Sequence, residues 1–269
     1  MRPAGEAGRR VRAGSVVFWV VIAVIVVFIL APLAVAIGSS VTATGYLTFP
    51  PQGFTLKWFA AAANDPKFLD ALWTSLELGV ATTVISVLAG VLASYAIVRR
   101  PGVFTGTLEQ VLLSPILLPA VVLGLGILFA LSLSGWLGTF PGGLLAHVII
   151  ASPFVTRSVL AGLRRLDSAL EEASRSLGAG AARTFCRIVL PSLRGAILGG
   201  AVFAFVISFD EAVVTLFLTG SGFTTLPITI FTYVQYSNNP TIAAVSTVIV
   251  VVSAVLVGLV TRGGAQDER

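Results

Sequence analysis

The sequence predicts an all-α integral membrane protein with six transmembrane helices, and three observations carry that prediction. The 269 residues are 56% hydrophobic and 11% charged, with a mean hydropathy of +0.98, whereas soluble domains carry roughly a quarter charged residues. Six apolar runs each reach the roughly 20 residues needed to cross the hydrocarbon core as a helix. The basic residues are confined to short segments between those runs, as membrane topology requires. The runs are continuous rather than alternating, which argues against a β-barrel. The single cysteine, Cys186, rules out an internal disulfide. One histidine without a Cys/His cluster argues against a metal site, and no cofactor is expected. The net charge of +5 is accounted for by topology, so no nucleic-acid partner is expected.

The spans fall at about 15–37, 75–97, 110–132, 143–163, 195–217 and 241–261. The first follows Arg9, Arg10 and Arg12 and ends near Ala34-x-Ala36, which resembles a signal peptide. Its apolar stretch exceeds the usual 7–15 residues of a signal core, so an uncleaved spanning helix is expected. The connection at 38–74 holds Tyr46, Pro50, Pro51, Trp58 and Phe59; Asp65-Pro66 reads as a turn, followed by a short amphipathic segment to Trp73. Those aromatics suit an interfacial belt or a cap that meets an external partner. Pro115 and Pro119, with Gly124 and Gly126, predict a kinked third span whose freed backbone groups face protein or a cavity.

Orientation follows from Lys and Arg. Arg2, Arg9, Arg10, Arg12, Arg99, Arg100, Arg157, Arg164, Arg165, Arg175, Arg183, Arg187, Arg194, Arg262 and Arg269 all fall on one side, and the other side has only Lys57 and Lys67. Both termini are therefore expected in the cytoplasm, with the chain a single membrane domain over 1–269.

Between the fourth and fifth spans lies a charged insert, 164–194. Ser168 and Glu171 read as a capping box that starts a helix. Leu170, Ala173 and Leu177 then form one narrow apolar face, with Glu171, Glu172 and Arg175 off it. Gly178 ends the helix, and a second helical stretch runs from about Ala181 to Leu190, punctuated by Pro191. Amphipathicity alone fits an ordinary interfacial helix. The full spacing, Glu172-Ala173-Ser174-x3-Gly178-x9-Ile188-x-Leu190-Pro191, is more specific. It resembles the Glu-Ala-Ala coupling loop of ATP-binding-cassette importer permeases, with Ser174 in place of the second Ala.

That resemblance extends over most of the chain. Tyr46-Leu-Thr-Phe-Pro-Pro, Ala71-Leu-Trp-Thr-Ser-Leu76, His147 ahead of Ser152-Pro-Phe-Val-x-Arg157, Ser208-Phe-Asp-Glu-Ala212 and Pro240-Thr-Ile-Ala-Ala-Val-Ser246 resemble the second permease subunit of spermidine/putrescine importers. Thr74 departs from the Asn of many relatives. The resemblance implies a type I ABC importer permease fold. It also implies three protein partners: an ABC ATPase subunit, a second homologous permease and an external substrate-binding protein. The importer family's docking segment would correspond here to Glu171, Glu172, Ala173, Ser174, Leu177, Gly178, Ile188, Leu190 and Pro191. No G-x-x-x-x-G-K-[ST] occurs, so ATP hydrolysis is expected in the partner and the chain is not expected to be an enzyme. A bacterial inner-membrane location in contact with lipid follows.

Three acids lie within apolar runs: Glu77, Asp210 and Glu211. A charge near the bilayer centre costs about 2.5–3.5 kcal/mol on insertion scales, so each should face protein or water. On the fifth helix Glu211 continues a stripe of Gly200, Ala204, Ser208 and Thr215, whereas Asp210 falls among Phe203, Ile207, Val213 and Val214. The stripe suits close packing or a polar pathway wall for a small cation such as a polyamine, with Phe203, Phe205 and Phe209 adding cation–π attraction. Asp210 is expected to pair at an interface or line a second wall. The alternative is that both acids are structural, paired with Arg157, His147 or backbone groups. His147 is expected to hydrogen-bond a neighbouring helix and Arg157 to snorkel. Another small solute, such as an amino-acid-derived or organic cation, stays open. An embedded enzyme using Asp210 or Glu211 with His147, or an ATP-independent transporter, leaves the charged insert without a purpose.

Overall fold

The computed structural model describes residues 5–220 and 222–264, and side chains over 15–220 and 222–252. Arg2 and Arg269 lie outside the described residues, as do the side chains of Arg9, Arg10, Arg12 and Arg262. Helices dominate, and among the described residues the only β pairing is a single bridge between Gly220 and Phe223. The described chain forms two compact units, residues 5–65 with 233–264, and residues 66–232.

In the first unit, α1 (Gly5–Ser40) and α2 (Lys57–Asn64) both pack against the last helix, Thr241–Gly264. No residue of α1 in its apolar window is buried. The connection to α2 is held by its own backbone: Ala43 N–H donates to Gln52 O at 2.9 Å, and Thr55 N–H to Val41 O at 2.9 Å. Trp58 Nε1 donates to Thr42 O at 2.8 Å, and Lys57 Nζ sits 4.5 Å from the Trp58 ring centre. Trp58 is thus tied into the loop rather than standing free.

The second unit opens with α3 (Pro66–Arg99). Asp65 is the single-residue turn between α2 and α3, its N–H donating to Ala62 O at 3.4 Å. Proline suits a helix start, where its missing N–H has no partner to lose, and α3 runs from it without a break. The third predicted span is two helices, α4 (Val103–Leu113) and α5 (Ala120–Ser134), joined by a 3₁₀ turn at Ser114–Leu117 and bent by 112°. The bend exceeds the kink expected from sequence. Leu118 is extended, with φ −92° and ψ 138°, because the Pro119 ring excludes a helical conformation from the residue before it.

Next come α6 (Phe140–Arg165), α7 (Ser168–Ser176) and α8 (Ala181–Ser192), which contains a π-helical turn at Phe185–Val189. A 70° bend at Leu193 leads into α9 (Arg194–Asp210). The predicted fifth span is not one helix: Glu211 is extended, with ψ 109°, and α10 (Val213–Leu218) starts anew. The stretch before the last span holds a helix that sequence did not predict, α11 (Leu226–Tyr236). Its first N–H, at Leu226, is capped by Ser75 Oγ at 2.8 Å. The final helix, α12, is the Thr241–Gly264 helix of the first unit.

Helices α3, α6 and α9 form the core of the second unit. Val91, Val155, Val159, Leu163, Val189, Leu193 and Ala204 make one buried cluster. Ile127, Leu131, Ala146, Val214 and Leu218 make another. Close approach depends on small residues. A Cβ at Gly200 would stand 3.0 Å from Val155 Cα, and one at Gly79 would stand 2.9 Å from the Phe205 ring. Such packing is the usual route to tight helix association where lipid tails compete with apolar side chains.

Candidate functional site

Two sites lie at opposite ends of the α3–α6–α9 core. At the end holding Arg99, Arg164, Arg165 and Arg194, α7 and α8 form the predicted helical hairpin. Asp167, not Ser168, is the N-cap: its Oδ1 accepts from Ala169 N–H at 2.9 Å. Glu171 therefore has no capping-box role. It is 4% exposed and turned inward, where Arg99 Nε donates to Oε1 at 2.7 Å and Tyr95 Oη donates to Oε2 at 3.1 Å. Arg99 Nη2 stands 2.6 Å from Oε1 but is not aligned for a second hydrogen bond. Arg175 lies 3.9 Å from Oε2. The Tyr95 ring meets Phe185 edge-on at 4.8 Å, so the second arm of the hairpin packs on the same anchor.

The opposite face of α7 carries Leu170, Glu172 and Ala173, with Leu177 as the C-cap residue just beyond it, all exposed and Leu177 at 90%. Ser174 is half-buried and its Oγ lies 3.0 Å from Oγ1 of the fully buried Thr184, joining the two arms. Gly178 has φ +85°, the left-handed conformation that non-glycine residues adopt at a cost of roughly 1–2 kcal/mol. In α8 the residue that enters the core is Val189, which is 0% exposed; Ile188 is half-buried, and Leu190 and Pro191 are exposed. The intervening "x" of the motif is thus its packing residue. Cys186 is exposed and unpaired.

At the far end, Glu77 is exposed on α3, one face with Asp70 and Trp73 at i, i+3 and i+7. Asp210 is exposed at the last turn of α9. Glu211 is half-buried, and its Oε1 accepts from Val214 N–H at 2.8 Å, supporting the first turn of α10. The helix break separates these two acids, so a continuous stripe through Glu211 does not exist. Gly200, Ala204 and Ser208 are buried along α9. Ser208 and Thr215 are both held by His147, with Nδ1 to Ser208 Oγ at 2.8 Å and Nε2 to Thr215 Oγ1 at 3.0 Å. His147 thus bonds neighbouring helical segments, as expected, and pairs with neither acid. Phe205 and Phe209 stack at 5.8 Å and Phe203 is 61% exposed. Arg157 is exposed on α6. The sequence did not point to Arg99 and Tyr95, which hold Glu171; only the basic residue at the end of the second span was a signal.

Residues 86–263 match the family described as "Binding-protein-dependent transport system inner membrane component". The chain belongs to this family. Among its relatives, the permease is 32% identical over 212 residues to the spermidine/putrescine transport system permease protein PotC of Escherichia coli (strain K12), covering 77% of this chain and 78% of that protein. It is 34% identical over 260 residues to the putative 2-aminoethylphosphonate transport system permease protein PhnV of Salmonella typhimurium, covering 94% and 93%. Its fold matches a chain of a bacterial ABC transporter involved in the import of the acidic polysaccharide alginate, with a TM-score of 0.74 at 12% identity, over 97% of this chain and 99% of that one. At that identity the match speaks to fold alone, and the fold is that of a type I ABC importer permease. The permease is a multi-pass inner-membrane translocation subunit and not itself an enzyme; in such systems ATP hydrolysis belongs to partner subunits. The family implies an ATPase, a second permease and a substrate-binding protein as partners.

Proposed function

We propose that the permease forms half of the path for a small cation, a polyamine, in an ATP-driven importer. The arginine-rich end and both termini face the cytoplasm, in keeping with the one-sided Lys and Arg. There the ATPase subunit grips the exposed face of α7, at Leu170, Glu172, Ala173 and Leu177, with Gly178 shaping the turn. Ser174, Ile188, Leu190 and Pro191 brace that grip from the hairpin. Glu171 faces inward and acts as its anchor. ATP-driven closure moves the hairpin as a rigid body, and the ion-paired contact with α3 carries that motion into the core. Nucleotide biases access only because its binding differs between the two states. An external binding protein delivers the solute at the opposite end, a second permease completes the path, and lipid covers the bare α1.

The observation that carries the substrate reading is the charge layout: Glu77, Asp210 and Glu211 lie at the end of the core opposite the arginines. Carboxylates at the end of the helix that carries Phe205 and Phe209 suit an alkylammonium ion, and the PotC relative supports the same class. Ser208 and Thr215 contribute through the break that His147 holds rather than as an open lining. A second reading, a zwitterionic amine such as 2-aminoethylphosphonate, is favoured by the longer match to PhnV. Uptake of labelled putrescine, spermidine and 2-aminoethylphosphonate by the reconstituted complex, with ATP and its binding protein, separates them. ATP-dependent uptake of either polyamine supports the first reading. Uptake of the phosphonate alone replaces it with the second.

A further inference from the structure

The fifth span breaks at Glu211 and Ala212, yet the break contains neither proline nor glycine. The local sequence thus supplies no usual helix breaker, and contacts from outside the segment bear on the break. His147 is fully buried, and its two ring nitrogens bridge the break, from Ser208 in α9 to Thr215 in α10. The proton order follows from the partners. Thr215 Oγ1 donates to Glu211 O at 2.8 Å, so it has only lone pairs left for the ring. Nε2 must then carry the proton and donate to Thr215. Nδ1 is left as an acceptor, filled by the Ser208 hydroxyl. The chain of bonds thus runs Ser208 → His147 → Thr215 → Glu211 carbonyl, and every donor points the same way. It ends on the backbone group that the break frees from the helical ladder. Glu211 then supports the new helix through its carboxylate at Val214 N–H.

We infer that neutral His147, protonated on Nε2, is a positioning residue: it fixes the break in the fifth span and thereby sets where Asp210 and Glu211 point. This rests on the proposed role of those acids in the path, but its test does not depend on which solute crosses.

Cys186 is the sole cysteine, so Cys186→Ser with Asp210→Cys places one thiol at the break. The readout is its labelling rate by a membrane-impermeant cationic thiol reagent in the assembled transporter. His147→Leu and Thr215→Val should each change that rate about tenfold, the scale on which one lost buried hydrogen-bond partner shifts a two-state equilibrium. The double variant should do no more than either alone. His147→Gln, whose amide keeps a donating NH2 and an accepting carbonyl oxygen, and Thr215→Ser should stay near the parent rate. Equal defects in His147→Gln and His147→Leu would mean that ring volume matters, not the bonds, and would overturn the inference. Multiplying effects in the double variant, unchanged rates in both single variants, or no labelling at position 210 in any background would overturn it as well.

Discussion

Glu171 and Glu172 are adjacent and chemically alike, yet the fold assigns them opposite duties. Glu171 is sealed against Arg99 and Tyr95, and Glu172 stands on the exposed face of α7. Removing one partner of a buried ion pair leaves the other charge uncompensated and costs about 3–5 kcal/mol. Glu171→Ala should therefore lower the melting temperature of the purified complex, and Arg99→Ala should do the same. Glu172→Lys should leave the melting temperature unchanged and abolish the link between solute uptake and ATP hydrolysis. Uptake at the normal rate in Glu172→Lys would remove that residue from the contact. The turn behaves differently again. Gly178 has open space around its Cα, so Gly178→Ala suffers only the left-handed backbone cost, roughly 1–2 kcal/mol, and a modest fall in melting temperature is expected. The spacing of the motif was legible in the sequence because it is local. Which glutamate turns inward was not, because the deciding partner, Arg99, lies 72 residues away.

At the scale of elements, apolar runs of about 20 residues pointed to helices, since length and hydropathy are properties of the segment itself; among the described residues, three helices (Ser15–Ser40, Pro66–Arg99 and Phe140–Arg165) are long and apolar enough to cross a membrane, or up to five if each of the two bent pairs is one span. The bend before α5 was legible in kind, through Pro119, though not in its 112° extent. The break after α9 was not legible: its cause is His147, on another helix, and a helical wheel drawn through residues 194–218 assumes the continuity that His147 interrupts. The capping box at Ser168 failed for a related reason. Asp167 is itself a strong N-cap and sits one residue earlier, and Glu171 is drawn inward by Arg99. Helix α7 also gives a prediction of its own. Its apolar residues Leu170, Ala173 and Leu177 are exposed together, an arrangement that marks an interaction surface. Leu177→Asp adds a charge to a residue that is 90% exposed, so folding of the permease should be unaffected. Co-purification of the ATPase subunit should fall at least about tenfold, as expected when a desolvated contact receives an unpaired charge. Retention of the ATPase at the parental ratio would show that the apolar face is not what it grips.

Over the molecule, charge is sorted by end: arginines cluster where α3 and α6 finish and α9 begins, and Glu77, Asp210 and Glu211 gather where α9 finishes. The sequence conveyed this sorting, because helix direction alternates with each span and the apolar runs count the alternations. It did not convey the surroundings of each acid. Asp210, expected to pair at an interface or line a second wall, is exposed at a helix end, and Glu211 is committed to Val214 N–H. These surroundings make a clean charge test possible. Glu211→Gln keeps a carbonyl oxygen that still accepts from Val214, so the turn survives while the charge is lost. Asp210→Asn removes a charge with no folding role. In both variants the permease should reach the membrane at the parental level. An exposed carboxylate attracts a nearby ammonium by about 1–2 kcal/mol at an intermediate effective dielectric, or roughly tenfold in occupancy. A dication that meets two such carboxylates should lose about that factor in uptake rate with each substitution. A zwitterion carries its own anion, so its uptake should fall far less, or rise where repulsion of the phosphonate is relieved. Parallel uptake of putrescine and 2-aminoethylphosphonate through one set of vesicles measures the ratio directly. A larger loss for putrescine supports an acidic path for cations. Equal losses for both solutes, at parental protein level, would mean that the acids control the motion of the break and not the charge of what passes it.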